Sequence, residues 1–213
     1  RQVDKNLILG FDLDGVIFDF TDLKLRLAKE RGFKLKPDQT PQEIIKVFSL
    51  ESTVMVRKLY PYLPEKLVQK LVRDHDDLVV HETVKYMRCI KGAKETLKKL
   101  KKKYKIAILS NAKGKEIRAV LHTLKIDERL FDAIIGNDEV KHPKPAPDEI
   151  IKAELLVKVK KGYMVGDSIY DIRAGKKAGL KTIAVLTGNH TRKELAREKP
   201  FLILQSVADL PKV

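Results

Sequence analysis

The stretch Leu7-Ile8-Leu9-Gly10-Phe11-Asp12-Leu13-Asp14-Gly15-Val16 decides how this chain is read. Its first five residues form an apolar run of strand length without polar alternation, as expected for a strand buried on both faces of a parallel sheet. Asp12 and Asp14 follow, separated by one residue. If the extended backbone continues, both carboxylates share a face, with Cα atoms about 6.5–7 Å apart. Ligands of open α/β sheets sit at the carboxyl ends of strands, where this pair would lie. Alone, such a pair reads as well as a solvated turn. A calcium loop of the EF-hand type does not fit, because Val16 occupies its fifth position and a strand, not a helix, precedes it.

Working outward, the same short Ile/Val/Leu-rich runs recur at residues 105–109, 133–135, 163–165, 182–186 and 201–203. Between them lie amphipathic stretches. Residues 92–102 place Ala93, Leu97 and Leu100 on one face, and residues 114–124 do the same with Ile117, Val120, Leu121 and Leu124. The alternation predicts an α/β fold: a Rossmann-like three-layer core with a mainly parallel sheet. One gap breaks the rhythm. About 90 residues separate the first strand from the second, far more than a single crossover helix needs. Residues 21–31, 41–48, 52–60 and 64–81 read as helices there, punctuated by Pro37, Pro41, Pro61 and Pro64. This predicts a small α-helical cap over residues 19–85, inserted into a core made of residues 1–18 and 86–213.

Length and composition agree with this division. At 213 residues the chain suits one domain with a modest insertion, and 43% hydrophobic with 34% charged residues describes a globular protein. Cys89 is the single cysteine, so no internal disulfide can form. No apolar run approaches the roughly 18 residues of a membrane span. The opening RQVDKNLILGF is too short in apolar residues for a signal peptide, so a cytoplasmic setting without membrane attachment is expected. The formal charge of +15 permits an anionic partner. The densest basic block, KKLKKKYK at residues 98–105, is explained by cations favouring a helix C-terminus.

Three later strand ends strengthen the reading of Asp12 and Asp14 as functional. The run IAIL ends in Ser110-Asn111 just before a helix, where a hydroxyl and backbone N–H groups can hold a phosphate. Lys144 lies between Pro143 and Pro145, in a loop stiff enough to aim its ammonium. The segment YMVGDSIYD then brings Asp167 and Asp171, four residues apart at a helix start. Four carboxylates at one sheet edge would repel one another and hold their protons unless a cation neutralised them. A hard, oxygen-preferring ion such as Mg2+ is the expected cofactor. Such equipment suits phosphoryl transfer, which needs charge neutralisation and in-line positioning.

FDLDGV, LSNA, KPAPD and GDSIYD, in this order, resemble the four motifs of the haloacid dehalogenase superfamily, whose members are mostly phosphatases. The resemblance spans residues 7–188 and implies a Rossmann-like core with a helical cap. It implies that Asp12 is the nucleophile that becomes an aspartyl-phosphate, and that Asp14 is general acid and then general base. Ser110 would bind the phosphoryl oxygens with Asn111 and the backbone of Gly15 and Val16, while Lys144 would orient Asp12. The implied metal ligands are Asp12, Asp14 through its backbone carbonyl, Asp167 and, in support, Asp171.

Within the superfamily, Asp14 points to phosphate esters, because dehalogenases and phosphonatases lack a carboxylate at that position. The expected function is therefore a Mg2+-dependent phosphatase acting on a small phosphorylated metabolite. Phosphoglycolate phosphatase-like enzymes resemble this chain best overall, although they usually carry Thr where it has Val16. A sugar-phosphate mutase of the β-phosphoglucomutase type is the alternative, but its pattern has a histidine where this chain has Lys24. Arg57, Lys58, Tyr60 and Arg73 are polar cap candidates, each better explained as solvated helix surface. A basic nucleic-acid binder on the same fold is disfavoured by the complete catalytic set, and no specific nucleic-acid partner is expected.

Overall fold

The computed structural model describes residues 5–31 and 40–212. Its strands are β1 (Ile8–Phe11), β2 (Phe18–Asp19), β3 (Arg88–Cys89), β4 (Lys105–Ser110), β5 (Ala133–Gly136), β6 (Gly162–Gly166), β7 (Lys181–Val185) and β8 (Leu202–Leu204). The helices are α1 (Thr21–Arg31), α2 (Pro41–Ile44), α3 (Ser52–Leu59), α4 (Glu65–His81), α5 (Ala93–Lys101), α6 (Gly114–Thr123), α7 (Asp148–Val157), α8 (Ile169–Lys177) and α9 (Arg192–Arg197). Six strands form a parallel sheet in the order β5-β4-β1-β6-β7-β8. β1 is central, and the order reverses there: β4 and β5 extend the sheet on one side, and β6 to β8 on the other. That reversal opens a crevice beyond the carboxyl ends of β1 and its neighbours.

Alternation along β1 explains the three layers. Leu9 and Phe11 point into one apolar cluster with Leu97 of α5 and Ile117 and Leu121 of α6. Ile8 points to the opposite face, into a cluster with Leu109, Ile150 of α7, Met164 and Ala174 of α8. With helices on both faces, each strand can be apolar through its middle, as β1 (ILGF) and β4 (KIAILS) are.

The long first gap holds α1 to α4, and its entry and exit are tied by a two-residue antiparallel pair, Phe18 opposite Cys89 and Asp19 opposite Arg88. Between them the helices have their own apolar clusters, Val47, Met55, Val56, Val68 and Val72 in one and Ile44 with Ile45 in another. The single helix expected over residues 41–48 is instead α2 followed by a 3-10 turn, Ile45–Ser49. Ile44, Ile45 and Val47 are all buried, and the tighter 3-10 spiral turns adjacent side chains inward in a way that one amphipathic α-helix would not. α2 starts at Thr40, whose side chain and that of Glu43 form a reciprocal cap. Pro37 lies outside the described residues.

Phe11 is fully buried at the centre of the larger cluster. Phe11→Ala should cost roughly 3–5 kcal/mol of stability. In urea titrations this appears as a lower midpoint with an unchanged slope, and a midpoint like that of wild type would contradict the central placing of β1.

Candidate active site

The site grows out of the carboxyl ends of β1, β4 and β6. Asp12 directly follows β1, and its N–H donates to Val165 O at 2.9 Å, so the strand pairing continues into the first acidic residue. Ser110 ends β4, Asp167 follows β6, and Asp171 lies in the first turn of α8. Lys144 comes from the loop between β5 and α7. Its Nζ lies 3.0 Å from Asp12 Oδ1 and 2.7 Å from Asp171 Oδ1, and it donates to Leu109 O at 2.7 Å.

The electrostatics follow from this crowding. Asp12, Asp167 and Asp171 each present a carboxylate oxygen within 4.8 Å of the others. Burial, then the Asp171 charge, pushes the Asp12 carboxyl up to about 6 against the opposing pull of Lys144. Asp167 is raised well above the usual carboxylate range, by burial and then by Asp12 and Asp171. Lys144 shows the converse. Burial favours its neutral form, but Asp12 and Asp171 outweigh it and hold the ammonium above the ordinary lysine range. One ammonium among three buried carboxylates leaves a negative site, and an all-oxygen donor set of this size fits a hard divalent cation.

Asp171 carries two tasks. Its Oδ2 accepts from Ser168 N at 3.0 Å and Ser168 Oγ at 2.7 Å, closing the reciprocal cap of α8, while Oδ1 accepts from Lys144. The Asp14 carboxylate stands apart from the cluster. Its Oδ2 is paired with Lys24 Nζ at 2.5 Å, and its buried Oδ1 has no side-chain partner among the described residues. Burial raises the Asp14 carboxyl, with Lys24 opposing.

Several expected phosphate donors are engaged elsewhere. The N–H of Gly15 donates to Phe18 O at 2.8 Å and that of Val16 to Leu13 O at 3.4 Å, because the chain turns tightly after Asp14 and closes the turn on itself. Gly15 has a spatial task instead. It has φ of 76°, and a Cβ there would lie 2.6 Å from Asp167 Cγ. The Asn111 amide donates to Ser49 O and Lys144 O, both at 3.1 Å, so it links a loop of the helical segment to the Lys144 backbone. Ser110 is buried at the site, its Oγ accepting from Ala112 N at 3.2 Å.

Other residues came to light only through the fold. Lys24, 1% exposed, lies 4.2 Å from the centre of the Phe20 ring and reaches Asp14 from α1. Its sequence signal was a departure from a pattern, with no partner indicated. Gly188 gives Asp167 room, since a Cβ there would lie 1.8 Å from Asp167 Oδ2. Glu149 is fully buried behind Lys144, and burial pushes its carboxyl up to about 7. A polar clasp also joins α4 to α6: Asp76 pairs with Lys113 and accepts from Ser52 Oγ at 3.1 Å, with Glu116 alongside. Lys46 and Glu194 make a second clasp at 2.6 Å. None of Arg57, Lys58, Tyr60 or Arg73 lines the cavity above Asp12.

An acidic cluster and one aimed lysine thus stand together at the switch point of an α/β sheet. Residues 9–185 match the haloacid dehalogenase-like hydrolase family, and the chain belongs to it. It is a phosphatase of that family. The pyrophosphatase PpaX of Bacillus cereus (strain Q1) is 31% identical over 213 residues, covering 94% of this chain and 92% of the relative. Among solved structures, a hydrolase from Pseudomonas syringae superposes with a TM-score of 0.81 at 20% identity, covering 97% of this chain and 96% of that one. A predicted phosphoglycolate phosphatase from Haemophilus somnus superposes with a TM-score of 0.78 at 23% identity, covering 98% and 97%.

The clasp between α4 and α6 yields a pH prediction. Burial, then the neighbouring Asp76, pushes the Glu116 carboxyl up to about 8, against the Lys113 backbone hydrogen bond and ammonium. The folded chain therefore holds a proton that the unfolded chain has released. Stability should fall as pH rises from the ordinary glutamate range through about 8. Glu116→Gln removes this dependence. Its melting temperature relative to wild type should climb steadily from about pH 5 to about pH 9, and a constant difference would contradict the assignment.

Proposed function

We propose that this chain is a Mg2+-dependent phosphatase that hydrolyses a small phosphorylated metabolite through an aspartyl-phosphate on Asp12. The observation that carries the reading is the setting of Asp12: its carboxylate lies 3.0 Å from Lys144 Nζ, within reach of Asp167 and Asp171, at the floor of a cavity also lined by Ser110 and Asp14. Asp12, Asp167 and Asp171 would hold the ion, with the Asp14 carbonyl as a further oxygen. Bound there, Mg2+ supplies charge neutralisation for the phosphoryl oxygens.

The chain's own groups account for the remaining chemistry. An Asp12 oxygen attacks phosphorus as the bond to the leaving oxygen breaks, and Asp14 gives its proton to that oxygen. Asp14 then takes a proton from water, whose oxygen attacks phosphorus and releases phosphate and free Asp12. A raised Asp14 carboxyl suits this exchange, and Lys24 holds that carboxyl in place. Lys144 keeps the Asp12 oxygen oriented, and Ser110 contributes a hydroxyl to the phosphoryl group. The helical segment of residues 19–85 serves as the cap, which excludes water and contacts the leaving group.

The similarity to a relative named pyrophosphatase supports hydrolysis of a phosphate linkage. Lys24 sits where mutases of the resembling type carry histidine, which favours a phosphatase over a mutase. The unpaired Cys89 agrees with a cytoplasmic setting, and the partner is a small molecule, not a nucleic acid.

A phosphate-release screen over small phosphomonoesters, with and without Mg2+, tests the proposal. Turnover should require the ion, and Asp12→Asn should lower kcat by a factor on the order of 10⁴ or more. Substantial turnover by a folded Asp12→Asn enzyme would rule out the covalent route.

A further inference from the structure

The cavity above Asp12 has a volume of about 150 Å³ and reaches from Asp12, Asp14 and Ser110 up to the helices of the cap. Its walls are mostly apolar. Phe18 and Phe20 line it from the chain leading into the cap, while Phe48, Leu50, Met55 and Leu78 line it from the cap itself. Leu78 is 53% exposed, an apolar side chain left partly in water. Charge is scarce on these walls. Among the described lining residues Lys24 is the single lysine or arginine, and it is already paired with Asp14 at 2.5 Å. The other basic lining group, His75, is driven by burial toward its neutral form. Glu116 adds a carboxyl to the lining, and the Ser49 and Thr83 side chains add neutral polar groups.

Hydrolysis of pyrophosphate expels phosphate, so the group seated in the cap would carry one or two negative charges. In this cavity it would lose its water to Phe, Leu and Met side chains and meet no free ammonium or guanidinium among the described residues. Such burial of an unpaired anion is strongly unfavourable. An apolar body has the opposite balance, since it loses little on leaving water and gains contact with the walls. The volume of about 150 Å³ also takes in the phosphoryl site at Asp12 and Ser110, so the room left under the cap suits a small body.

We propose that the leaving group of this enzyme's substrate is a compact, largely apolar alcohol, held between Phe18 and Phe20 on one side and Phe48, Leu50 and Leu78 on the other. One neutral hydroxyl or amide on that alcohol can be met by Ser49 or Thr83. The inference rests on the phosphatase reading above and narrows it: the substrate is an uncharged-alcohol phosphomonoester, in contrast to the diphosphate named for its relative.

The test compares kcat/KM for phenyl phosphate, n-butyl phosphate and pyrophosphate with Mg2+ present, in wild type, Leu78→Lys and Leu50→Lys. Leu78 is exposed enough for lysine to be accommodated, and melting temperatures establish folding of both variants. Wild type should favour both organic phosphates over pyrophosphate by about tenfold or more. Because intrinsic reactivity differs among these substrates, the shift on substitution is the sharper reading. An added ammonium should move the preference toward pyrophosphate by about tenfold in a folded variant. Equal or better wild-type turnover of pyrophosphate, or a preference unmoved in folded Leu78→Lys, would overturn the inference and leave the phosphatase reading intact. Absence of turnover on all three substrates and on the wider phosphomonoester screen would instead remove the phosphatase reading itself.

Discussion

Two carboxylates, Asp12 and Asp171, share the buried Lys144 ammonium, and a third, Asp167, is packed against them. Asp12 follows β1, and Asp167 and Asp171 lie more than 150 residues later at the start of α8, yet their oxygens meet within 4.8 Å. Lys144 offsets part of their repulsion by touching Asp12 and Asp171, but the negative charge exceeds what one lysine can neutralise. Much of the fold near the site serves to hold this arrangement. Glycine at positions 15 and 188 leaves space for Asp167, and the cap of α8 fixes Asp171 while leaving Oδ1 for Lys144. Excess negative charge of this kind would suit a divalent cation, which would add the capacity to stabilise a phosphoryl group.

The helical segment contributes more than a cover. Lys24 enters the site from α1 and pairs with Asp14, while Asn111 reaches up from β4 to the Ser49 carbonyl. Asp76 with Lys113 and Lys46 with Glu194 join the two parts at points farther from the chemistry. Other residues of the same segment, Phe48, Leu50, Met55 and Leu78, wall the cavity with aromatic and aliphatic side chains. Contacts between the helical segment and the core thus link two properties, the pairing of the Asp14 carboxylate with Lys24 and the apolar walls of the cavity above Asp12. The overall charge of +15 stands outside both, because the site itself is acidic.

Most of the core was legible in the sequence for a simple physical reason. Strands covered on both faces are apolar through their middle, so β1, β4, β5, β6, β7 and β8 stood out within about a residue of their ends. The residues at those strand ends were legible as well, since Asp12, Ser110, Lys144, Asp167 and Asp171 follow runs whose strand character was plain. Less visible were features that depend on contacts distant in sequence. The two-residue pair β2/β3 is too short to leave a periodic signal. Lys24 reads as an ordinary helical lysine until the fold brings Asp14 to it, and the grouping of Asp76, Lys113 and Glu116 joins residues from α4 and the start of α6. Backbone donors are the least legible of all: Gly15 and Val16 looked available, but a tight turn uses both N–H groups.

Thermal unfolding with and without Mg2+ tests the acidic cluster as a Mg2+ site without relying on catalysis. Binding to the folded chain alone raises the melting temperature by an amount that grows with Mg2+ concentration. Wild type should show this rise, and Asp167→Asn should lose most of it while remaining folded in the absence of the ion. A wild-type melting temperature indifferent to Mg2+, or an equal rise in Asp167→Asn, would contradict a Mg2+ site at Asp12, Asp167 and Asp171.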